Sequence, residues 1–224
     1  MIEQPLYLEK DGLRDTLVEV YYSNSPYRVE HLAKIILVAK GMDSFRMAED
    51  PDSNSVFLQN TYYRIQIRQD CISFNNIQTY QRWDNYAPLI KRVIKQILSL
   101  PEITIEKQMI RYISMYPMIS IFDNLNGKKM VLNAMPPIDG TEVRFKMGIT
   151  DDEGHLGIAT IRLTDNLPSN KSDIKVSVVD IQLDCATNKE IQEETLEFLH
   201  TQEKNLFYSI LSTQFINSLG AHYK

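Results

Sequence analysis

An α+β fold built from two halves is what this sequence predicts, each half a mainly antiparallel sheet followed by an amphipathic helix packed across it. Residues 54–99 and 141–219 carry that plan, with strand-like alternation first and apolar residues at helical spacing after it. Turn-forming clusters separate the β segments, and no low-complexity tract interrupts them. The expected organisation is a strand–helix–meander–helix half over residues 1–116, a connecting segment over 117–140, and a sheet plus long helix over 141–224. Fusion of the halves into one domain is the alternative.

The first strand is predicted over residues 16–22, TLVEVYY, where Leu17, Glu19 and Tyr21 share one face and Val18, Val20 and Tyr22 the other. From Tyr27, the positions Val29, Leu32, Ala33, Ile36 and Leu37 recur as on a helix, with Gly41 just past the run as its C-cap. The polar, proline-containing stretch AEDPDSNS reads as an exposed loop. A meander follows at residues 55–60, 62–69 and 71–77; Tyr63, Ile65 and Ile67 on one side of the middle strand oppose Arg64, Gln66 and Arg68, so one sheet face is wet.

The second helix follows Gln81-Arg82-Trp83 and carries Tyr86, Ile90, Val93, Ile94 and Ile97 as its stripe, with Pro88 read as lying in its first turn. A long bent strand is predicted over 103–116. In the second half, residues 142–150 and 156–163 form a hairpin around Asp151-Asp152-Glu153-Gly154, and a turn at NLPSNKSD leads into a central strand over 174–183. Thr187-Asn188-Lys189-Glu190 matches a capping box. The last helix then places Leu196, Leu199, Leu206, Phe207, Ile210, Leu211 and Phe215 on one stripe that ends near Gly220.

With 224 residues, 43% of them hydrophobic, the chain can bury a core without disulfides or structural metal. Cys71 and Cys185 accordingly read as reduced, buried thiols. The start of the sequence has neither a basic leader nor an apolar core segment, and no apolar run approaches the roughly 20 residues that span a bilayer, so a cytoplasmic protein without a membrane span is expected. Charge is uneven. Residues 54–116 hold eight basic side chains against four acidic ones, whereas residues 180–203 hold seven acids against Lys189. Two solvated, complementary surfaces account for that asymmetry.

Chemical signatures are sparse. The glycines match no dinucleotide fingerprint, P-loop or nucleophile elbow. The acids before His155 fit a hairpin turn better than a metal loop. His200 is the best placed histidine, since Glu197 and Glu203 lie about one helical turn on either side and either carboxylate can orient the ring. Lys91, Arg92 and Lys95 on the second helix with Arg64 and Arg68 on a nearby strand are the candidates for a nucleic-acid surface, against which stand the overall acidity and the absence of a nucleic-acid motif. Trp83, Arg111, Tyr112 and His200 are the candidates for ligand or partner binding in a groove between sheet and helix. No catalytic residue, metal or cofactor is expected.

Leu199-His200, then Leu206-Phe207 and Ser212, resembles the C-terminal helix signature of a sporadically distributed, uncharacterised bacterial protein family, a Leu-His pair followed by Phe and by Ser or Thr. LVEV at residues 17–20, Tyr80 to Trp83 with Tyr86, Ile110-Arg111-Tyr112-Ile113 and Asp180-Ile181-Gln182-Leu183-Asp184 agree in order. The tract before Trp83 departs from the family pattern by lacking Pro-Gly. The resemblance implies an α+β fold and, through the family's patchy distribution, a bacterial antiviral defence or toxin–antitoxin setting. The expected function is a non-enzymatic protein-interaction or regulatory module with a protein partner or homo-oligomer. The alternative is a small-ligand or nucleic-acid binder using the sheet–helix groove and the basic face of the second helix.

Overall fold

The computed structural model describes residues 4–23, 25–50, 54–126, 142–152, 154–169, 172–186 and 192–223. In chain order the elements are β1 (Tyr7–Leu8), β2 (Leu13–Ser23), α1 (Val29–Leu37), β3 (Arg46–Asp50), β4 (Ser55–Gln59), β5 (Tyr63–Ile67), β6 (Cys71–Asn76), α2 (Trp83–Leu98) and β7 (Thr104–Pro117). A 3₁₀ turn at Phe122–Asn124 precedes β8 (Glu142–Thr150), β9 (Leu156–Ser169), β10 (Ser172–Ala186), α3 (Gln192–Ile210), α4 (Thr213–Ser218) and β11 (Ala221–His222). The fold is α+β, with its helices packed against antiparallel sheet.

The halves do not keep separate sheets. Nine strands form one antiparallel sheet in the order β3-β4-β5-β6-β2-β7-β10-β9-β8, joined across the middle where β2 pairs with β7. Each arm begins with its central strand, runs outward, meanders back so that its last strand pairs with the first, and closes with a helix. The first arm does this with β2, β3 to β6 and α2; the second with β7, β8 to β10 and α3. Because β2 and β7 are antiparallel, the arms leave the centre as a two-fold relation of topology, and the first arm adds α1 and one strand.

Alternation along the strands sorts the two faces. Val18 and Val20 on β2, Ile110 and Tyr112 on β7, and Ile181 and Leu183 on β10 are buried in one apolar cluster with Leu32 of α1, Ile90 of α2 and Leu199 of α3. Among the described residues the opposite face carries no helix. There Glu19 meets Arg68 at 2.7 Å, Asp180 takes a bidentate contact from Arg111 at 2.8 and 2.7 Å, and Lys107 lies 3.3 Å from Asp184. The one-sided wetting expected from β5 therefore extends over the sheet.

Four local expectations change. Ala48 lies in strand β3, paired with Phe57, because an edge strand tolerates the polar residues that suggested a loop. Pro88 is six residues into α2, past the first turn, and leaves the Asp84 carbonyl without its helical donor. Strands β9 and β10 run on through most of NLPSNKSD, a register shift absorbing the polar stretch. The final helix is broken: Leu211 bridges Leu125, Ser212 donates its N–H to Asn124, and the Ser212 hydroxyl caps α4 by accepting from the Phe215 N–H at 3.2 Å. The capping box at 187–190 and most of the connecting segment 117–140 lie outside the described residues. Its described end is anchored by Asp165, which accepts from the Ile121 N–H at 2.7 Å.

Ile110, fully buried and opposite Val18 at the joint, tests whether the arms share one cooperative unit. Ile110→Ala should lower unfolding free energy by about 2–5 kcal/mol, with the Trp83 fluorescence and far-ultraviolet dichroism transitions in urea staying coincident.

Candidate ligand-binding site

The helices that close the two arms meet over β7, and the meeting point is aromatic. Trp83 opens α2, and its ring stacks on His200 of α3 with centroids 4.2 Å apart and planes 13° from parallel. The indole N–H donates to Glu197 at 2.9 Å, and the other oxygen of Glu197 lies 2.5 Å from the Lys91 ammonium. One carboxylate of α3 thus holds two groups of α2. Burial opposes its ionisation, yet Lys91 and Trp83 keep its pKa below the usual glutamate value. The Lys91 contact is partly exposed and adds orientation more than stability.

Beneath the stack, the Tyr112 hydroxyl lies 3.3 Å from His200 Nδ1 and 3.1 Å from the Tyr80 hydroxyl. Burial depresses the His200 pKa to about 4, outweighing the nearby Glu197 carboxylate, so the imidazole is neutral at physiological pH. In the tautomer protonated at Nε2, Nδ1 accepts from the Tyr112 hydroxyl and the chain runs from Tyr80 to Tyr112 to His200. The carboxylate expected to orient this histidine is replaced by a tyrosine; Glu197 is occupied with Trp83 and Lys91. Burial also raises the pKa values of Tyr80 and Tyr112, keeping both phenols protonated.

These side chains line a cavity of about 700 Å³. Its α3 wall is His200, Glu203, Lys204, Phe207 and Tyr208, the spacing of one helix face. The opposite wall is the segment before β2, with Tyr7, Glu9 and Asp11. That wall is tied down where β1 pairs with β11, where His222 stacks on Tyr7 at 4.4 Å, and where Glu9 meets the His222 ring at 2.7 Å. Arg82 lies over the other side of the mouth, 4.4 Å from the Tyr7 ring centre. Its backbone has φ 64 and ψ 158, a conformation that strains any residue but glycine and costs about 1–3 kcal/mol.

Glu203 is the unusual group. Only 5% exposed, it makes no hydrogen bond or ion pair with a described residue. Burial raises its pKa to about 8, with Lys204 opposing weakly, so the acid is largely protonated near neutrality.

Of the sequence candidates, Trp83, Tyr112 and His200 come together here. Arg111 does not: alternation turns it to the helix-free face, where Asp180 holds it. The basic residues are divided by the sheet. Arg64 and Arg68 lie on the helix-free side, Arg68 engaged by Glu19 and Ser73, while Arg92 and Lys95 are exposed on α2 and Lys91 is paired with Glu197. No common basic surface forms among them. Tyr80, Phe207 and Tyr208 were not among the ligand-binding candidates and Glu203 was expected only as a partner for His200, although an acid at an apolar-stripe position of a helix, as Glu203 is, was a readable signal.

A second depression of about 490 Å³ lies beside the β8–β9 turn, where His155 stacks on Phe198 at 5.0 Å and bonds Asp151 at 2.7 Å. Among the described residues no group of three or more histidine, cysteine or acidic side chains stands where it could hold a metal ion. Cys71 and Cys185 are free and buried, and no described helix is long and apolar enough to cross a membrane. No protein-family model matches the chain, and no curated protein sequence matches it.

The raised pKa of Glu203 fixes a pH dependence. Below about pH 4.5 the carboxyl is protonated in both states; from there to about pH 8 the unfolded chain releases the proton that the folded chain keeps, so stability falls across that interval. Glu203→Gln should therefore raise the melting temperature by several degrees at pH 8 and by little at pH 5, read by calorimetry.

Proposed function

We infer that this chain is a non-catalytic cytoplasmic protein that binds a small organic ligand between its sheet and α3. The observation that carries the reading is the convergence of Tyr7, Tyr80, Trp83, Tyr112, Phe207 and Tyr208 on a cavity whose depth holds a buried carboxyl without a partner. Apolar walls with a few placed polar groups, in a volume of about 300–1,000 Å³, suit small-molecule recognition. The strained Arg82 at the mouth and the unmatched Glu203 both lower stability, a pattern that favours a working site over a packing defect. The two buried, reduced thiols fit a cytoplasmic location.

Trp83 is the single tryptophan of the sequence, so its emission reports on the cavity directly. In a small-molecule library, compounds that raise the melting temperature should also shift Trp83 emission. Tyr208→Ala should weaken those compounds at least tenfold while leaving far-ultraviolet dichroism unchanged. A library in which no stabilising compound perturbs Trp83 would overturn the reading.

A protein partner is the second reading, favoured by Met115, Leu156 and Ile158, which stand 38%, 71% and 43% exposed on the helix-free face. Ile158→Asp should then release any protein that co-purifies stoichiometrically, without changing the melting temperature by more than a few degrees. Retention of that protein by the variant would remove this face from consideration.

A further inference from the structure

Resting on the ligand-binding reading of the cavity, we propose that its ligand is an organic cation, an ammonium group on a carbon skeleton seated against the Glu203 carboxylate and the rings around it. Charge on the lining points that way. Even with Glu203 protonated, Glu9, Asp11 and Asp84 stand against Arg82 and Lys204, and Arg82 is held over the Tyr7 ring. An anionic ligand meets a net negative wall, whereas a cation is drawn in and the faces of the tyrosines and Trp83 present the negative side of their quadrupoles to it.

Glu203 supplies the anchor. The groups facing it are His200, Lys204 and Tyr208 on α3, Tyr112 and Tyr116 on β7, Tyr80 before α2 and Asp11 on the N-terminal wall. Lys204, the nearest cation, reaches instead toward the Leu6 carbonyl at 3.5 Å and lies 6.0 Å from the Tyr208 ring centre. No described residue donates a hydrogen bond to the carboxyl, so its acceptor capacity is unmet by the protein. A ligand ammonium meets that capacity by donating to it. The skeleton behind it packs against Phe207 and Tyr208, whose rings meet edge to face on the α3 wall. One carboxylate among rings fits an organic ammonium, which a single acceptor and aromatic faces can hold, better than a metal ion, which needs several oxygen or nitrogen ligands.

The ammonium keeps its three hydrogens, the Glu203 O–H bond breaks, its proton leaves to solvent, and the carboxylate so formed pairs with the cation. Binding therefore competes with protons at a group whose free pKa is about 8. His200 stays neutral throughout that range, and the phenols stay protonated.

The experiment titrates the protein with tyramine, cadaverine and spermidine, and with tyrosol and 3-(4-hydroxyphenyl)propionate as neutral and anionic counterparts, following Trp83 emission and heat. At least one amine should bind, with tyrosol and the propionate at least tenfold weaker. Amine affinity should rise about 50-fold from pH 6 to pH 8, and calorimetry in buffers of different ionisation enthalpy should show close to one proton released at pH 6.5. Glu203→Gln, which should fold at least as stably as the parent, should bind the amine at least tenfold more weakly at pH 8 and lose the pH slope. Binding of tyrosol or the propionate in preference to the amines, or an unchanged slope in Glu203→Gln, overturns the cation assignment and leaves the cavity reading standing. Failure of these probes and of a broad neutral and anionic set to perturb Trp83 overturns both.

Discussion

The antiparallel pairing of β2 with β7 is the constraint on which the rest of the molecule depends. It places Val18 opposite Ile110 and Thr16 opposite Tyr112, so two separately wound arms become one nine-stranded sheet with a single apolar face. A one-residue slip would send Ile110 and Tyr112 to the wet side and bring Arg111 into the core. The register is also what brings α2 and α3 together. Each helix closes its own arm on the same face, and the central pair sets the distance at which Trp83 stacks on His200 and Glu197 bonds the indole.

The two faces treat charge in opposite ways. On the helix-free side Glu19, Asp180 and Asp184 each meet a cation, and solvent screens the remainder. Under the helices, desolvation dominates. His200 gives up its proton and Glu203 keeps its own because neither has a counter-charge strong enough to offset removal from water. These two penalties act in different pH ranges: His200 lowers stability on acidification below about 6.5, and Glu203 lowers it on alkalinisation above about 4.5. Between those values the two slopes oppose each other, and above about 6.5 only the Glu203 penalty remains, borne by the packing around the cavity.

How much could be read in advance follows from which interactions are local. Strand alternation in β2 and β5, the apolar stripes of α1 and α2, and the β8–β9 hairpin are short-range patterns, and they were legible. Union of the sheets was not, because Val18 and Ile110 are far apart in sequence and nothing in either strand names its partner. The break before α4 depends on Leu125 bridging Leu211, another distant contact, so the apolar stripe read as continuous. At the site, Trp83, Tyr112 and His200 were chosen as aromatic or titratable residues beside strong elements. Arg111 was chosen with them because residue type ignores the side of the strand, and alternation sends it the other way. Glu203 was read as a partner for His200, when its own isolation is the more informative property.

Neither arm completes the cavity alone. Trp83 and Tyr80 come from the first arm, Tyr112, His200 and Glu203 from the second, and Tyr7 from a strand that the C-terminal β11 secures. A ligand there contacts groups whose mutual positions exist only when both arms and both ends of the chain are folded. Its binding free energy is then added to the native state as a whole, and not to one arm, with a gain that grows as RT ln(1 + [L]/Kd). The same geometry explains why polar strain is tolerated at this place: a sheet spanning nine strands supplies enough buried apolar area elsewhere to hold one uncompensated carboxyl where a ligand can reach it.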